Sequence, residues 1–226
     1  MEKRGSNKKG FILIILISFF PFLVKSQTVD EIITRLDFFK SINSISLIMT
    51  AQSITYDING NTLVNNTAVN INYQIQKPGY LKLTKQIGNN SYEQIRENDR
   101  EIIKINGEEI KNTEVKGITD LLPEPQMIFN LTEYLAGFEI SKEGENKITG
   151  MLEGNKEQKR IEIEFNSNEI VKIIIYGVQG KKETEIKINE YREINGKKMP
   201  VSIKKIIYSN KTKVEKNITY TITGVE

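Results

Sequence analysis

The sequence predicts a mainly β protein, with one large antiparallel sheet of about ten or eleven strands and two helices laid on it. Three observations predict this. Alternation recurs along most of the chain, as in Val69, Ile71, Tyr73 and Ile75 against Asn70, Asn72, Gln74 and Gln76, and a period of two places the apolar set on one strand face. Turn signals such as Asn106-Gly107 and Asn195-Gly196 separate the runs, because these residues tolerate the positive φ a tight hairpin needs. Helical spacing of apolar residues occurs only near the N-terminus and between Asp120 and Gly137. So many strands in one sheet must curl strongly or close, and their apolar face must be covered.

Residues 1–26 read as a secretory signal peptide. Lys3, Arg4, Lys8 and Lys9 precede the apolar run Phe11 to Val24, and Val24-Lys25-Ser26 suits a signal peptidase, so cleavage is expected before Gln27. The run is short for a spanning helix, and Pro21 interrupts it. Five of the 32 Lys+Arg and one of the 29 Asp+Glu lie in this segment, leaving 27 basic against 28 acidic residues, a net charge of −1. The basic balance therefore belongs to the export signal and gives no reason to expect nucleic acid as a partner. Residues 27–226 suffice for one domain, and no linker long enough to divide them is visible.

The chain has no Cys and no His. That excludes disulfides, thiol nucleophiles, imidazole bases and His- or Cys-ligated zinc. No cofactor, metal site or catalytic residue is expected, and remaining chemistry would need carboxylates, Lys, Tyr or a Ser-Lys pair.

Thr28 to Glu31 forms a capping box, and Val29, Ile32, Ile33, Leu36 and Phe39 follow at helical spacing, predicting a helix from Val29 to Lys40. Ile45 to Tyr56, rich in Ile, Thr and Ser, predicts a first strand before the Asn59-Gly60-Asn61 turn. Val69 to Gln76 is the next strand, bent at Lys77-Pro78-Gly79 into Leu81 and Leu83. Short strands follow at Tyr92 to Glu97 and Glu101 to Ile105, where Ile103 and Ile105 share a face. Between Asp120 and Gly137, Pro123 and Pro125 suit a first turn, and Met127, Ile128, Leu131, Tyr134 and Leu135 fall on one helical face. This helix is either a crossover that covers the core or a mobile lid over a cavity. Strands resume at Phe138 to Ser141, Ile148 to Leu152, Ile161 to Phe165, Val171 to Ile175, Ile186 to Tyr191, Val201 to Tyr208 and Ile218 to Ile222.

Glu162 and Glu164 share a strand face, but alternation puts them opposite Ile161, Ile163 and Phe165, on the solvated side. Lys181-Lys182 and Lys204-Lys205 read as solvated or edge-protecting charges. Asp57 to Asn61 opens like a calcium loop but lacks the terminal Glu, and is read as a turn.

Ile32 to Leu36 with Ser44-Ile45-Ser46, Gln76 to Leu83, Asn98 to Ile103 and Tyr191 to Pro200 are four segments that, in this order, resemble the outer-membrane lipoprotein-sorting and carrier family, the LolA-like proteins. Ile32 to Leu36 followed by Ser44-Ile45-Ser46 is similar to the family's first helix and strand. Gln76 to Leu83 is similar to its hairpin with a basic residue before Pro, and Asn98 to Ile103 to its D-G-K-x-L-W turn. Tyr191 to Pro200 resembles its Y-x-x-x-x-G-x-x-x-P segment. The resemblance implies a curled, incompletely closed barrel with helices as a lid, and a periplasmic or secreted, monomeric, non-enzymatic carrier. Its partners would be lipid acyl chains or acylated lipoproteins, with membrane-bound donor or acceptor proteins. The expected cavity wall is Ile71, Tyr73, Leu81, Leu83, Ile161, Ile163 and Phe165, under a lid of Met127, Ile128, Leu131 and Leu135. Lys77 stands where the carriers commonly have Arg, as a latch without the planar fork. The alternative expectation is a periplasmic sensor or interaction scaffold of the same fold with no transported ligand.

Overall fold

The structure, a computed structural model, describes residues 28–76, 80–97, 100–114, 128–152 and 159–226. The signal segment, Lys77 and residues 120–127 of the Asp120 to Gly137 stretch, Met127 among them, lie outside the described residues.

Among the described residues, thirteen antiparallel strands form one sheet. The first six are β1 (Ser44–Asp57), β2 (Thr62–Gln76), β3 (Tyr80–Ile87), β4 (Asn90–Glu97), β5 (Arg100–Ile105) and β6 (Glu108–Glu114). The rest are β7 (Glu139–Lys142), β8 (Lys147–Leu152), β9 (Lys159–Asn166), β10 (Glu169–Tyr176), β11 (Lys182–Ile194), β12 (Lys197–Tyr208) and β13 (Thr212–Val225). The order is β6-β5-β4-β3-β2-β1-β13-β12-β11-β10-β9-β8-β7, two meanders joined where β1 pairs with β13. Neither end strand, β6 nor β7, has a further strand beside it among the described residues, so the sheet is not closed.

The strand number exceeds the ten or eleven expected. β6 reads E-E-I-K-N-T-E, with Ile110 its single large apolar residue and that one 59% exposed. It carries no alternation because it buries nothing; its pairing with β5 makes it a strand, and charge on such an edge discourages intermolecular pairing.

Turn chemistry sets the register. Asn106 and Gly107 both have positive φ, 51° and 84°, as do Asn195 and Gly196, 51° and 74°, the combination a type I′ hairpin needs. At the first hairpin Asp57 Oδ1 accepts from the backbone N–H of Asn59 and Asn61, and Oδ2 accepts from Asn61 Nδ2, all at 2.8 Å. The calcium-like loop is thus a self-satisfied turn, and the Asn61 bonds hold the Asp57 carboxyl below the usual range.

The first helix, α1 (Val29–Leu36), begins with the expected capping box. It stops earlier than expected. Asp37 turns extended, φ −80° and ψ 105°, and a 3-10 turn at Phe38–Ser41 follows. The cause is distant: Asp37 Oδ2 accepts from the Thr132 N–H at 2.9 Å, satisfying the start of a short helix, α2 (Leu131–Tyr134). Beyond α2, Gly137 at φ +92° turns the chain towards β7.

Ile45, Leu47 and Met49 of β1, Ile163 of β9, Ile173 of β10 and Ile203 of β12 lie on one sheet face with the buried side chains of α1 and α2, in one continuous core. On this face β8 must admit Ile161 closely, and it does so with Gly150. A Cβ there would sit 2.8 Å from Ile140 Cδ1, 2.8 Å from Ile161 Cγ2 and 3.1 Å from Phe138 Cδ1. Gly150→Ala is therefore expected to lower stability by about 1–3 kcal/mol through overpacking, read as a lower urea midpoint at unchanged m-value; an unchanged midpoint contradicts it.

Candidate functional site

The register builds the inner wall in rows. Ile75 pairs with Leu81, Tyr73 with Leu83, and Ile71 with Lys85. On the other wing Ile161 pairs with Ile175 and Ile163 with Ile173. Directly paired residues share a face, so the structure places all seven wall residues expected from sequence on the inner, concave side. Six are buried, Tyr73, Leu81, Leu83, Ile161, Ile163 and Phe165, and Ile71 is partly so. The four from β2 and β3 and the three from β9 stand on opposite wings and meet through the covering residues.

That cover is aromatic at its centre. Phe129, fully buried, has its ring 6.2 Å from Phe38 and 5.2 Å edge-on to Tyr220 of β13. Ile128, Leu131 and Leu135 join the same core. Arg35 of α1 lies 5.9 Å over the Phe165 ring, an arrangement that lets its charge rest on an aromatic face. Tyr134 is pushed up to about 12 by burial.

Sequence reasoning missed an ionic cluster on this same wall. Leu81 pairs with Arg96, and Arg96 with Glu101. Arg96 is 7% exposed and Glu101 2%. Gln94 Nε2 donates to Glu101 Oε1 at 2.6 Å, and Lys111 Nζ to Oε2 at 2.8 Å. The Lys111 bond is the main reason the Glu101 carboxyl stays below the usual range; burial opposes it, and Gln94 and the Arg96 charge add to it. Alternation did contain a signal, since Glu101 stands two residues before Ile103 and so on its face.

On the convex side Glu162 is a correction to the solvated reading: it is 5% exposed. Its row partners are Thr149 and Ile174, and Arg160 and Lys147 cover its two oxygens, Lys147 at 3.1 Å. Glu164 pairs with Lys172 at 2.7 Å. Each carboxylate is engaged by a cation in an ion pair. Lys204-Lys205 corrects the edge reading, because β12 is interior to the sheet; Lys204 pairs with Glu215 at 2.7 Å on the convex side, and Lys205 faces inward.

A groove of about 750 Å³ runs between α1 with its 3-10 extension and the β9–β10 and β11–β12 turns. It is lined by both charge signs: Lys198 pairs with Glu169 at 2.5 Å, and Lys40 donates to the Thr34 hydroxyl at 2.8 Å. No group of acidic side chains among the described residues is arranged to hold a metal ion, and no described helix is long and apolar enough to cross a membrane.

The sequence matches no protein-family model and no curated protein. Likeness appears in the fold. A crystal structure of a LolA superfamily protein from Nitrosomonas europaea superposes with a TM-score of 0.55 at 9% identity, over 88% of this chain and 96% of that one. A DUF1329 family protein from Desulfovibrio piger superposes with a TM-score of 0.51 at 8% identity, over 84% and 89%. The open antiparallel sheet curled around its helices is thus a LolA-like fold.

Proposed function

We propose that this protein is an exported, monomeric, non-enzymatic carrier whose single domain, residues 27–226, holds lipid or lipoprotein acyl chains during outer-membrane lipoprotein sorting in the periplasm. One observation carries the reading: the concave wall of Ile71, Tyr73, Leu81, Leu83, Ile161, Ile163 and Phe165 is covered by helical segments rather than by closure of the sheet. A cover that is not part of the strand ladder can move without breaking it. An acyl chain that replaces the cover regains about 0.8 kcal/mol per buried methylene, enough over a long chain to offset losing a few apolar side chains from the core. In this reading Lys77 is the latch at the bend, residues 1–26 are the export signal, and membrane-bound proteins load and unload the cargo.

Native mass spectrometry of the purified protein is expected to show co-purifying lipid, and a fluorescent fatty acid is expected to be taken up. The absence of both co-purifying lipid and uptake would overturn the carrier. The same tight burial of six of the seven wall residues supports a second reading, a sensor or scaffold whose filled core never opens; a stable protein partner in a pull-down without any lipid would favour it.

A further inference from the structure

Asp37, 6% exposed, lines the groove between α1 with its 3-10 extension and the β9–β10 and β11–β12 turns. Its carboxyl group is only half used. Oδ2 accepts from the Thr132 N–H at 2.9 Å. Oδ1 is sealed from solvent and accepts from no described residue. Buried polar atoms are nearly always hydrogen-bonded, because taking one out of water without a partner costs free energy. Holding the start of α2 needs one oxygen, and Asp37 brings two.

The surroundings narrow the chemistry of the missing donor. At about 750 Å³ the groove is far larger than a single water needs. Of its other charged groups, Lys198 and Glu169 hold each other at 2.5 Å, and Arg35 rests on the Phe165 ring. Lys40, Lys197 and Glu193 are exposed. A purely cationic ligand would meet Lys40 and Lys197 on its way in, and a purely anionic one would end against Asp37. A zwitterion, with its ammonium innermost, matches both signs. Leu36 and Phe38, either side of Asp37 in the chain, line the same groove and belong to the apolar core. The groove therefore borders the covered interior.

We infer that this groove takes the head group of a zwitterionic phospholipid that carries an amine with a free N–H. The ammonium donates to Asp37 Oδ1, the phosphate lies towards Lys40 and Lys197, and the acyl chains pass Leu36 and Phe38 into the core. The ammonium supplies the donor that Oδ1 lacks, in a charge-assisted bond. Lys40 and Lys197, long and exposed, part to admit it. Because Oδ2 of the same carboxyl holds the start of α2, head group and cover meet at one residue. The inference rests on the carrier reading and adds the chemistry of the head group to it.

Isothermal titration with dihexanoyl phosphatidylethanolamine and dihexanoyl phosphatidylcholine, both kept below their micelle concentrations, tests it. The two carry the same charges, but choline has no N–H. The ethanolamine lipid is expected to bind about tenfold or more tighter. Asp37→Asn keeps an oxygen for Thr132 and puts an NH₂ in place of the second acceptor; it is expected to bring the ethanolamine lipid down to the level of choline. An arm that needs no variant uses the N,N-dimethylethanolamine lipid, which retains one N–H and is expected to side with ethanolamine. If it sides with choline, bulk rather than the N–H is selected, and the assignment to Oδ1 falls. Equal binding of ethanolamine and choline means that a water satisfies Oδ1, and it overturns the site, as does a preference that survives Asp37→Asn. Binding of neither lipid by a protein that still takes up a fluorescent fatty acid overturns the site while the carrier stands. Binding of neither, without that uptake, overturns both.

Discussion

Phe129→Ala is expected to lower the unfolding free energy by about 3–5 kcal/mol and, in the fraction that remains folded, to accelerate uptake of a fluorescent fatty acid. The first effect follows from packing. The ring is fully buried, sits between Phe38 and Tyr220, and thereby ties the 3-10 turn after α1 to β13. Its removal loses the transfer free energy of a large side chain and leaves a cavity that neighbours only partly fill; the edge-on contact with Tyr220 adds about 0.5–1.5 kcal/mol. The second effect separates the two readings of the fold. If the helical cover opens to admit acyl chains, Phe129 is part of what resists opening, and an apolar void beside Tyr220 offers space for the chain. Urea melts give the stability and stopped-flow fluorescence gives the rate. Uptake that falls merely in step with the folded fraction would return Phe129 to an ordinary core residue and favour the scaffold.

Sequence pattern reached the sheet more readily than its cover because the two are specified at different ranges. Alternation and Asn-Gly turns act over two to ten residues, so the faces of β2, β9 and β12 and the hairpin at Asn195-Gly196 could be read directly. The end of α1 could not. It depends on a hydrogen bond from Thr132 to Asp37, residues 95 apart in the chain, and a periodic apolar stripe running to Phe39 points past it. β6 was illegible for the opposite reason: an exposed edge strand has no face to bury and so no pattern. At the candidate site, alternation assigned each wall residue to its face but could not tell which polar residues share that face under cover. Glu101 shares the face of Ile103 by alternation, but only its row, leading through Arg96 to Leu81, puts it under cover. Lys205 reads as half of a surface Lys-Lys pair, and only the strand order reveals that its true neighbour is Lys216.

Glu101→Gln tests whether that inner ionic cluster is as dry as its burial indicates. At neutral pH the substitution is expected to cost about 2 kcal/mol, the scale of a hydrogen bond to a charged group. The amide keeps the shape and one acceptor but removes the charge that Lys111 and Arg96 share. Lys111 can turn to water, since its side chain is 47% exposed; Arg96, 7% exposed, is held in the wall, and the loss falls mainly on it. The pH dependence follows from the carboxyl's lowered folded value. An unfolded Glu titrates near its ordinary value of about 4.3, so the stabilisation is complete above that pH and disappears as pH falls through the lower folded value. The stability gap between wild type and Glu101→Gln should therefore be constant from neutral pH to about 5 and close on further acidification. Glu93, Glu185 and Glu215, also held low by their lysine partners, titrate in both proteins and cancel from the difference. Urea melts at stepped pH measure the gap. A gap within about 0.5 kcal/mol at every pH, the scale of an exposed ion pair, would mean that water reaches Arg96 and Glu101 and that this wing of the concave wall stands open.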